Sequence, residues 1–481
     1  MKALHSPQPA HLCVFLALFL TACDSGAEPD SGASSPAQSE SAKGAARSAP
    51  LARNLVLITA DTLRADHLQT YGYHRETAPR IDALAKESLV FEACYAPIAR
   101  TTPSHLSLMT GMYPFEHGVS TNFGHLDEEE VESAAFVASE GLSTFAQSVA
   151  GEVHTAGFVS AAPVKRITGL ANGFETWSEP DSDRRPGSET NAQVLPWLRE
   201  QKEPFFLWVH YMDAHGPLGV GGYPPEEYEK MFQTDAGLRT FMEERKFVKK
   251  VKDNYMRNKK PAMLMNYYDG AIRILDEAVG ELLDELKNSG HWDNSVIVFL
   301  SDHGEGFGQH DFGGHGDVWE EQLHVPLIIR APGLQAGRVS QRMSTIDVLP
   351  PALGIGRMFV AEGFHGQSKG LDALGESFGN NLIFGMGSRV IEAFSLTQGD
   401  WKFIQRPDAS TALYDLSKDP FELQNVQSAH AEKAEELKAR LQDAISDQKA
   451  ANQKYSSKGG QRGMDPKHLE ELRKLGYTGD E

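Results

Sequence analysis

The chain contains short, almost continuous runs of apolar residues that alternate with longer segments of helical periodicity. Four such runs lie at residues 55–59, 156–161, 205–209 and 295–300. Near-continuous apolar strands are typical of a parallel sheet that is buried on both faces. The pattern therefore predicts an α/β domain in which helices cover both faces of a mostly parallel sheet.

The clearest predicted helix spans residues 263–288. Apolar residues recur in it at alternating intervals of four and three, and they are Tyr268, Ile272, Leu275, Val279, Leu282 and Leu286. Such a stripe packs against a core, and Gly290 suits the end of the helix. This segment therefore needs no functional explanation.

The pattern changes after Pro350. Shorter segments at residues 401–404 and 411–416 predict strands, residues 417–420 predict a turn, and residues 431–449 predict a charged helix. We therefore expect a small C-terminal α+β subdomain. The predicted boundaries are a catalytic domain at 53–355, this subdomain at 356–455, and a tail with a short helix at 456–481.

The N-terminus has the organisation of an export signal. Lys2 precedes an apolar stretch at residues 12–20 that is too short to span a bilayer. The sequence Leu-Thr-Ala-Cys that ends at Cys23 resembles a bacterial lipobox, which would make residues 1–22 a lipoprotein signal peptide and Cys23 the lipidated residue. Residues 23–52 are rich in Ser, Ala, Gly and Pro, as in a flexible tether. These features predict a lipid-anchored protein of a bacterial cell envelope, facing the periplasm on the inner or outer membrane. A plain secretory peptide is the alternative.

Composition limits the partners. The 481 residues include 46 Lys and Arg against 66 Asp and Glu, a net charge of −20, which argues against a nucleic-acid partner. Once Cys13 leaves with the signal and Cys23 takes lipid, Cys94 alone remains, so no intrachain disulfide is expected.

One segment is basic: residues 245–260 contain eight Lys and Arg. It is either a solvated helix face that balances nearby acids, or a patch that docks an anionic glycan or lipid headgroups.

Polar residues cluster just past the ends of three predicted strands, where open α/β sheets build their sites. They are Asp61, then His210 with Asp213, then Asp302 with His303.

A further candidate for a functional residue is Thr101. Pro103 suits the first turn of a helix, with Thr101 or Thr102 as its cap. A hydroxyl there would lie at the positive end of the helix dipole, which favours an alkoxide and an anionic ester.

Several segments carry a family resemblance. Residues 101–111, TTPSHLSLMTG, resemble the sulfatase signature Cys/Ser-x-Pro-Ser-Arg with its following helix and Thr-Gly. Residues 54–68, 300–306 and 413–420 are similar to further sulfatase segments. The chain thus resembles the sulfatase-like family of the alkaline phosphatase superfamily over about residues 54–477. Two positions depart from the signature: Thr101 replaces the Cys or Ser that becomes formylglycine, and His105 replaces Arg. A threonine cannot yield the aldehyde, because its β-carbon bears a methyl group.

The resemblance implies a metal site and its surroundings. Asp61, Thr101, Asp302 and His303 would hold the first metal, with Thr62 in place of a second acidic residue. His215 and His315 match histidines that bind substrate phosphate or a second zinc in lipid phosphoethanolamine transferases. His105, His210 and Asp213 are candidate substrate-binding residues. The sulfatase Lys-x-His near positions 160–162 is replaced by Ser160, Ala161 and Ala162. The cofactor expected from this oxygen and nitrogen donor set is one or two zinc ions, with manganese or calcium possible.

The sequence therefore predicts a metal-dependent hydrolase that cleaves a phosphate mono- or diester. Thr101 would be the nucleophile, and His215 and His315 would assist catalysis. The expected partners are an anionic ester substrate, such as an envelope glycan or lipid headgroup, and the membrane through the lipid anchor. The alternatives are a sulfatase, a phosphoryl or headgroup transferase acting on an envelope glycan or lipid, and a non-catalytic binding module.

Overall fold

The computed structural model describes residues 52–122, 142–202, 204–215, 224–251, 258–349, 382–387 and 392–452. The predicted signal peptide, Cys23, the tether, the domain boundary near residue 355 and the terminal tail lie outside these residues. Within the described segments, no helix is both long enough and apolar enough to cross a membrane.

A nine-stranded sheet forms the centre of the described part of the chain. Its strands are β1 (Asn54–Ala60), β2 (Leu89–Tyr95), β3 (His154–Phe158), β4 (Thr176–Ser178), β5 (Phe205–Tyr211), β6 (Ser295–Ser301), β9 (His324–Arg330), β10 (Gly337–Val339) and β11 (Met343–Ser344). The order is β10-β2-β9-β6-β1-β5-β3-β4, with β11 also on β2. Only β9 runs antiparallel to its neighbours among these strands. The predicted mostly parallel sheet is confirmed.

Two further strands form a small separate hairpin. They are β7 (Gly306–Phe307) and β8 (Gly313–Gly314), which pair antiparallel. This hairpin follows β6 directly and therefore lies at the carboxyl edge of the sheet.

Helices cover both faces of the sheet. They are α1 (Pro79–Ala85), α2 (Thr101–Thr110), α3 (Pro114–His117), α4 (Phe145–Val149), α5 (Gly187–Glu200), α6 (Glu226–Met231), α7 (Ala236–Glu244), α8 (Pro261–Asn288) and α9 (Glu320–Leu323). Short 3-10 helices lie at Ala65–His67, Gln69–Tyr71, Ala162–Val164, Arg166–Thr168, Trp292–Asn294, Gln309–Asp311 and Thr345–Asp347.

Alternate residues of each strand enter two different cores, as the pleat requires. In β1, Leu57 packs into the core that contains α2, and Ile58 packs into the core that contains α8. The six apolar residues of the predicted stripe in α8 are all buried. After α8, Gly290 adopts a φ of 79°, as expected for a helix-ending glycine.

Three of the four predicted strands coincide with β1, β5 and β6. The prediction for residues 156–161 was wrong at its end, because β3 stops at Phe158. The backbone beyond it turns toward a loop: Ala161 forms an isolated bridge with Arg184, and the amide of Ala162 donates to Asp183. These partners replace the neighbouring strand.

The C-terminal subdomain is an antiparallel sheet covered by a helix. Its elements are β12 (Leu382–Met386), β13 (Phe394–Gln398), β14 (Trp401–Gln405), β15 (Thr411–Asp415) and α10 (Ala431–Asn452). The predicted α+β subdomain is confirmed. It contacts the catalytic domain immediately before α2, where Ile98 bridges to Met386 and the Met386 amide donates to Pro97 at 2.8 Å.

Candidate metal and catalytic site

The carboxyl ends of three adjacent strands converge on one point. The last residue of β1, Ala60, is in register with Tyr211 of β5 and with Ser301 of β6. Because these strands are parallel, the residues that follow them leave the sheet side by side. Asp61 and Asp302 therefore lie together, in the position expected for a site in an open α/β sheet.

Asp61, Asp302 and His303 form a buried cluster. One ligand atom from each lies within 4.8 Å of the other two. Both side-chain oxygens of Asp61 and the Oδ2 atom of Asp302 are buried without a hydrogen-bond partner. Burial, and then the nearby charge of Asp61, raises the pKa of Asp302. Buried carboxylates are unfavourable unless they are paired or coordinate a cation, so the cluster fits a divalent metal ion.

Hydrogen bonds orient the ligand atoms of this cluster. The Oδ1 atom of Asp302 accepts the backbone N–H groups of Thr62 and His303 at 3.1 and 2.8 Å, which leaves Oδ2 for a cation. The Nδ1 atom of His303 donates to the carbonyl of Gly304 at 3.0 Å. Its Nε2 atom therefore carries the lone pair and lies 3.5 Å from Asp302 Oδ2.

Thr62 contributes no ligand in the place of the missing acidic residue. Its backbone has a φ of 57°, and its hydroxyl donates to the carbonyl of Asp61 at 2.8 Å. A left-handed conformation is uncommon for a β-branched residue. The cluster thus has fewer carboxylates than an oxygen-rich calcium site prefers.

Thr101 is the first residue of α2 and faces the cluster. Its Oγ1 atom lies 3.5 Å from His303 Nε2. The predicted cap was wrong: Arg100 is the N-cap residue and its side chain makes no capping bond, whereas the Thr102 amide donates to Asn122 Oδ1 at 2.8 Å. The hydroxyl of Thr102 donates instead to the carbonyl of Pro163. Because the Thr101 hydroxyl does not serve as a cap, it can point toward the metal ligands from the positive end of the helix.

His105 lies one turn after Thr101 and is held on both sides. Its Nδ1 atom lies 2.8 Å from the Thr101 carbonyl, and its Nε2 atom lies 3.1 Å from the hydroxyl of Thr59. That hydroxyl also accepts the indole N–H of Trp208 at 2.9 Å. Burial lowers the pKa of His105 to about 4. The neutral ring therefore supports the backbone at Thr101, and protein groups occupy both of its nitrogens.

His210 extends the cluster from β5. Its Nε2 atom lies 3.4 Å from Asp61 Oδ2 and has no hydrogen-bond partner. The backbone N–H of Ser160 donates to His210 Nδ1 at 3.4 Å, and the Ser160 hydroxyl lies 3.3 Å from the same nitrogen and donates to the His210 carbonyl. Burial lowers the pKa of His210 to about 4. The sequence indicated a substrate contact, and the structure places the His210 ring beside the Asp61 carboxylate.

His215 and His315 lie together on another side of the cluster. Their ring centroids are 5.6 Å apart, and those of His303 and His315 are 4.4 Å apart. His315 Nδ1 lies 3.1 Å from the carbonyl of Ala99, which leaves the lone pair on Nε2. Burial lowers the pKa of His215 to about 4 and that of His315 well below its usual value. Both neutral rings can accept a proton or bind a second metal.

Asp213 occupies a different environment from the cluster. Its Oδ1 atom accepts the backbone N–H of Gly187 at 2.9 Å, at the start of α5. Burial raises the pKa of Asp213. A Cβ atom at Gly187 would lie 2.9 Å from Asp213 Oδ2, so glycine allows this close approach. The structure thus places Asp213 where it fixes the loop that carries His215.

Two half-buried arginines near the site were missed from the sequence. Arg100 precedes Thr101, packs on Gly316, and its charge contributes to the lowered pKa of His315. Arg184 bridges to Ala161, and its charge contributes to the lowered pKa of His215. The proximity of Arg100 to Thr101 in sequence was an available signal. No sequence pattern indicated Arg184, because this residue lies in an irregular loop.

The sequence and the fold of the described residues together assign the chain to a known protein family. The chain belongs to the sulfatase family, whose model, described as Sulfatase, matches residues 53–356. This identity agrees with the family resemblance of the sequence segments.

Individual relatives resemble different shares of the chain. An ulvan-active sulfatase of Formosa agariphila is 28% identical over 66% of this chain and 64% of its own length, so the chain spans a little under two thirds of that relative. An arylsulfatase of Clostridium perfringens is 25% identical over 81% of this chain and 92% of its own length. The crystal structure of a phosphonate monoester hydrolase of Agrobacterium radiobacter has a TM-score of 0.62 and 21% identity, and covers 81% of this chain and 96% of that one.

Proposed function

We propose that the protein is a metal-dependent phosphoesterase of the sulfatase family with Thr101 as its nucleophile. The observation that carries this proposal is the position of the Thr101 hydroxyl, 3.5 Å from His303 Nε2. That nitrogen in turn lies 3.5 Å from Asp302 Oδ2, which has no hydrogen-bond partner. A threonine at this position cannot become formylglycine, yet its hydroxyl faces the groups that would activate it.

The donor atoms support zinc or manganese more than calcium. Asp61, Asp302 and His303 would hold the ion through carboxylate oxygens and one imidazole nitrogen. Mixed oxygen and nitrogen donors suit zinc, whereas calcium takes oxygen ligands. The bound ion would supply positive charge that lowers the pKa of a hydroxyl and offsets negative charge on the ester oxygens.

The side chains of the protein account for the remaining steps. The Thr101 oxygen forms a bond to phosphorus as the bond from phosphorus to the leaving alcohol breaks. Water then attacks the phosphothreonine, which releases phosphate and restores the hydroxyl. The His315 ring is neutral and can form a hydrogen bond to the reacting groups through Nε2. The guanidinium groups of Arg100 and Arg184 can donate hydrogen bonds to the non-bridging oxygens.

Sulfate ester hydrolysis is the second candidate, since the relatives named above include two sulfatases. The same fold also occurs in a phosphonate monoester hydrolase, so it is compatible with phosphoryl chemistry. Thr101 decides between the two candidates on chemical grounds, because a hydroxyl nucleophile relies on a strongly charged metal centre. Such a centre favours phosphoryl groups, whose non-bridging oxygens carry more charge than those of a sulfate ester.

Matched aryl esters test this choice. We expect kcat/KM for para-nitrophenyl phosphate or its diester to exceed that for para-nitrophenyl sulfate by roughly 10²-fold, which corresponds to about 3 kcal/mol of transition-state stabilisation. Each ester is assayed with zinc, manganese and calcium in turn. Equal rates, or a preference for the sulfate, would assign the protein to the sulfate ester hydrolases.

We also propose that Cys23 anchors the protein by lipid in a bacterial envelope, where the ester belongs to an envelope glycan or lipid headgroup. The lipobox-like sequence supports the anchor. Cys23→Ser should move the protein from the membrane fraction to the soluble fraction. Retention of this variant in the membrane fraction would contradict the lipid anchor.

A further inference from the structure

The turn that follows β1 is held by side chains from other elements. Three successive backbone N–H groups of this turn, at residues 62–64, each donate to a side-chain oxygen. In chain order of the donors, the acceptors are Asp302 at 3.1 Å, Ser301 at 2.9 Å and Tyr268 at 2.9 Å. Because the turn directly follows Asp61, its conformation determines where that carboxylate lies.

The Tyr268 hydroxyl, from α8, binds this turn at two points. It donates to the carbonyl of Thr62 at 2.6 Å and accepts the backbone N–H of Arg64 at 2.9 Å. The side chain is completely buried, and its ring centroid lies 4.8 Å from that of Phe307 and 4.9 Å from that of His67. Burial raises the pKa of Tyr268 well above its usual value, so the hydroxyl keeps the proton that it donates.

Thr62 needs such support because its backbone conformation is unfavourable. Its φ of 57° lies in the left-handed region, which β-branched residues rarely adopt. Without outside contacts the turn would favour another conformation, and the carboxylate of Asp61 would move with it. Tyr268 binds the carbonyl of the strained residue itself, so this contact opposes that change.

Ser301 joins the turn to the segment that carries His303. The Ser301 hydroxyl accepts the backbone N–H of Leu63 at 2.9 Å and donates to the carbonyl of His303 at 2.7 Å. From the turn itself, the Nη1 atom of Arg64 donates to the carbonyl of Glu305 at 3.0 Å. The two segments that supply the candidate metal ligands are thus fixed relative to each other by side chains that are not ligands.

We propose that Tyr268 is a positioning residue for the metal site and that it acts through the conformation of Thr62. Its hydroxyl would hold Asp61 near Asp302 and His303 before a cation binds. Ligands that are already in place bind more tightly, because less conformational freedom is lost on binding. This inference rests on the proposed function for the presence of a divalent cation, whereas the identity of the ester does not enter it.

Zinc affinity, measured apart from turnover, tests the proposal. The full-length protein is freed of metal, and zinc is titrated in competition with a fluorescent chelator. Tyr268→Phe is the test variant, because it removes only the hydroxyl. Tyr71→Phe is the matched control. The Tyr71 hydroxyl likewise accepts a backbone N–H, that of Leu327 at 2.8 Å, and donates to a carbonyl, that of Phe91 at 3.1 Å, but these partners belong to β9 and β2.

We expect Tyr268→Phe to bind zinc roughly 10-fold or more weakly than the parent protein, as is typical when a residue that orients a metal ligand is lost. Tyr71→Phe should bind zinc like the parent protein. Asp61→Asn, which lacks a ligand, gives the level of nonspecific binding. Unchanged zinc affinity in Tyr268→Phe, or equal weakening in Tyr71→Phe, would overturn the proposal.

A second substitution tests the route through Thr62. Glycine adopts positive φ values at no steric cost, so Thr62→Gly should restore part of the zinc affinity that Tyr268→Phe loses. No recovery would mean that Tyr268 does not act through this turn. Circular dichroism monitors folding, and a Tyr268→Phe variant that stays unfolded even in zinc would assign the hydroxyl to the fold and overturn the proposal. A parent protein that binds zinc but shows no preference for phosphate esters would contradict only the proposed function.

Discussion

The Oγ1 atom of Thr101 lies 3.5 Å from the Nε2 atom of His303, although 202 residues separate them in the sequence. The contact arises because the first turn of α2 meets the end of β6. The hydroxyl of Ser104 supports this arrangement by donating to the carbonyl of Asp302 at 2.7 Å. The proposed nucleophile is thus attached to the strand end that carries two of the candidate metal ligands.

Removal of the hydroxyl should stop catalysis without unfolding the protein. Thr101→Ala is expected to lower kcat/KM for an aryl phosphate on the order of 10³-fold or more, because no other hydroxyl replaces the nucleophile. Thr101→Ser keeps a hydroxyl and should retain measurable turnover. Circular dichroism and thermal melting check that both variants remain folded. Near-parental activity of Thr101→Ala would refute the assignment.

Loss of a carboxylate should separate metal binding from folding. Asp61→Asn is expected to lose most of the bound metal, measured by mass spectrometry, because the site loses a charged ligand. In chelator, this variant should melt at the same temperature as the parent protein or higher, since it no longer buries an uncompensated charge. Zinc should raise the melting temperature of the parent protein far more than that of the variant. A parent protein that is fully active and equally stable in chelator would exclude the metal site.

Arg184 should affect binding of the anionic group more than chemistry. Arg184→Gln is expected to raise KM for the aryl phosphate, and the inhibition constant of inorganic phosphate, by about 10-fold, because a charge-assisted hydrogen bond is lost. Arg166→Gln is the control, since Arg166 is exposed and belongs to a neighbouring loop. Unchanged phosphate inhibition in Arg184→Gln would remove this arginine from the site.

The free energy of unfolding should depend on pH because of His117, a buried histidine of α3 that contacts α2. Burial lowers the pKa of His117 to about 3 from an ordinary value of 6.5, and its Nε2 atom lies 2.9 Å from Ser107 Oγ. Below pH 6.5 the unfolded chain binds a proton that the folded chain does not, so this histidine lowers stability as pH falls toward 3. From pH 7 to pH 5 the loss amounts to roughly 2 kcal/mol.

Comparison with His117→Asn isolates this effect. The stability advantage of the parent protein over the variant should shrink by that amount between pH 7 and pH 5, as measured by urea unfolding. A constant difference would show that His117 does not titrate between the two states in this range.

The periodicity of the sequence predicted much of the fold and part of the site. Asp61 and Asp302 could be placed together because each follows an apolar strand, and parallel strands end at one edge. Thr101 could be placed at a helix start because of Pro103. Its hydroxyl could not be distinguished from a helix cap, since that depends on Arg100 adopting an extended conformation with φ −149° and ψ 135°.

Other features depend on contacts between distant segments. His105 needs Thr59 from β1 and Trp208 from β5 to fix its ring, and neither residue is near it in sequence. Arg184 reaches the site only because Ala161 leaves the sheet and bridges to it. Such contacts depend on the whole fold and leave no periodic pattern in the local sequence, so they could not be predicted from it.

The bridge between Ile98 and Met386 has a consequence for biosynthesis. Ile98 precedes the nucleophile by three residues, yet it packs in the core of the C-terminal subdomain with Phe384 and Leu396. The backbone that leads into α2 therefore acquires its final support only after about four fifths of the polypeptide has been made. A nascent chain that stops before β12 would contain Asp61, Thr101 and Asp302 but lack the segment that positions the nucleophile.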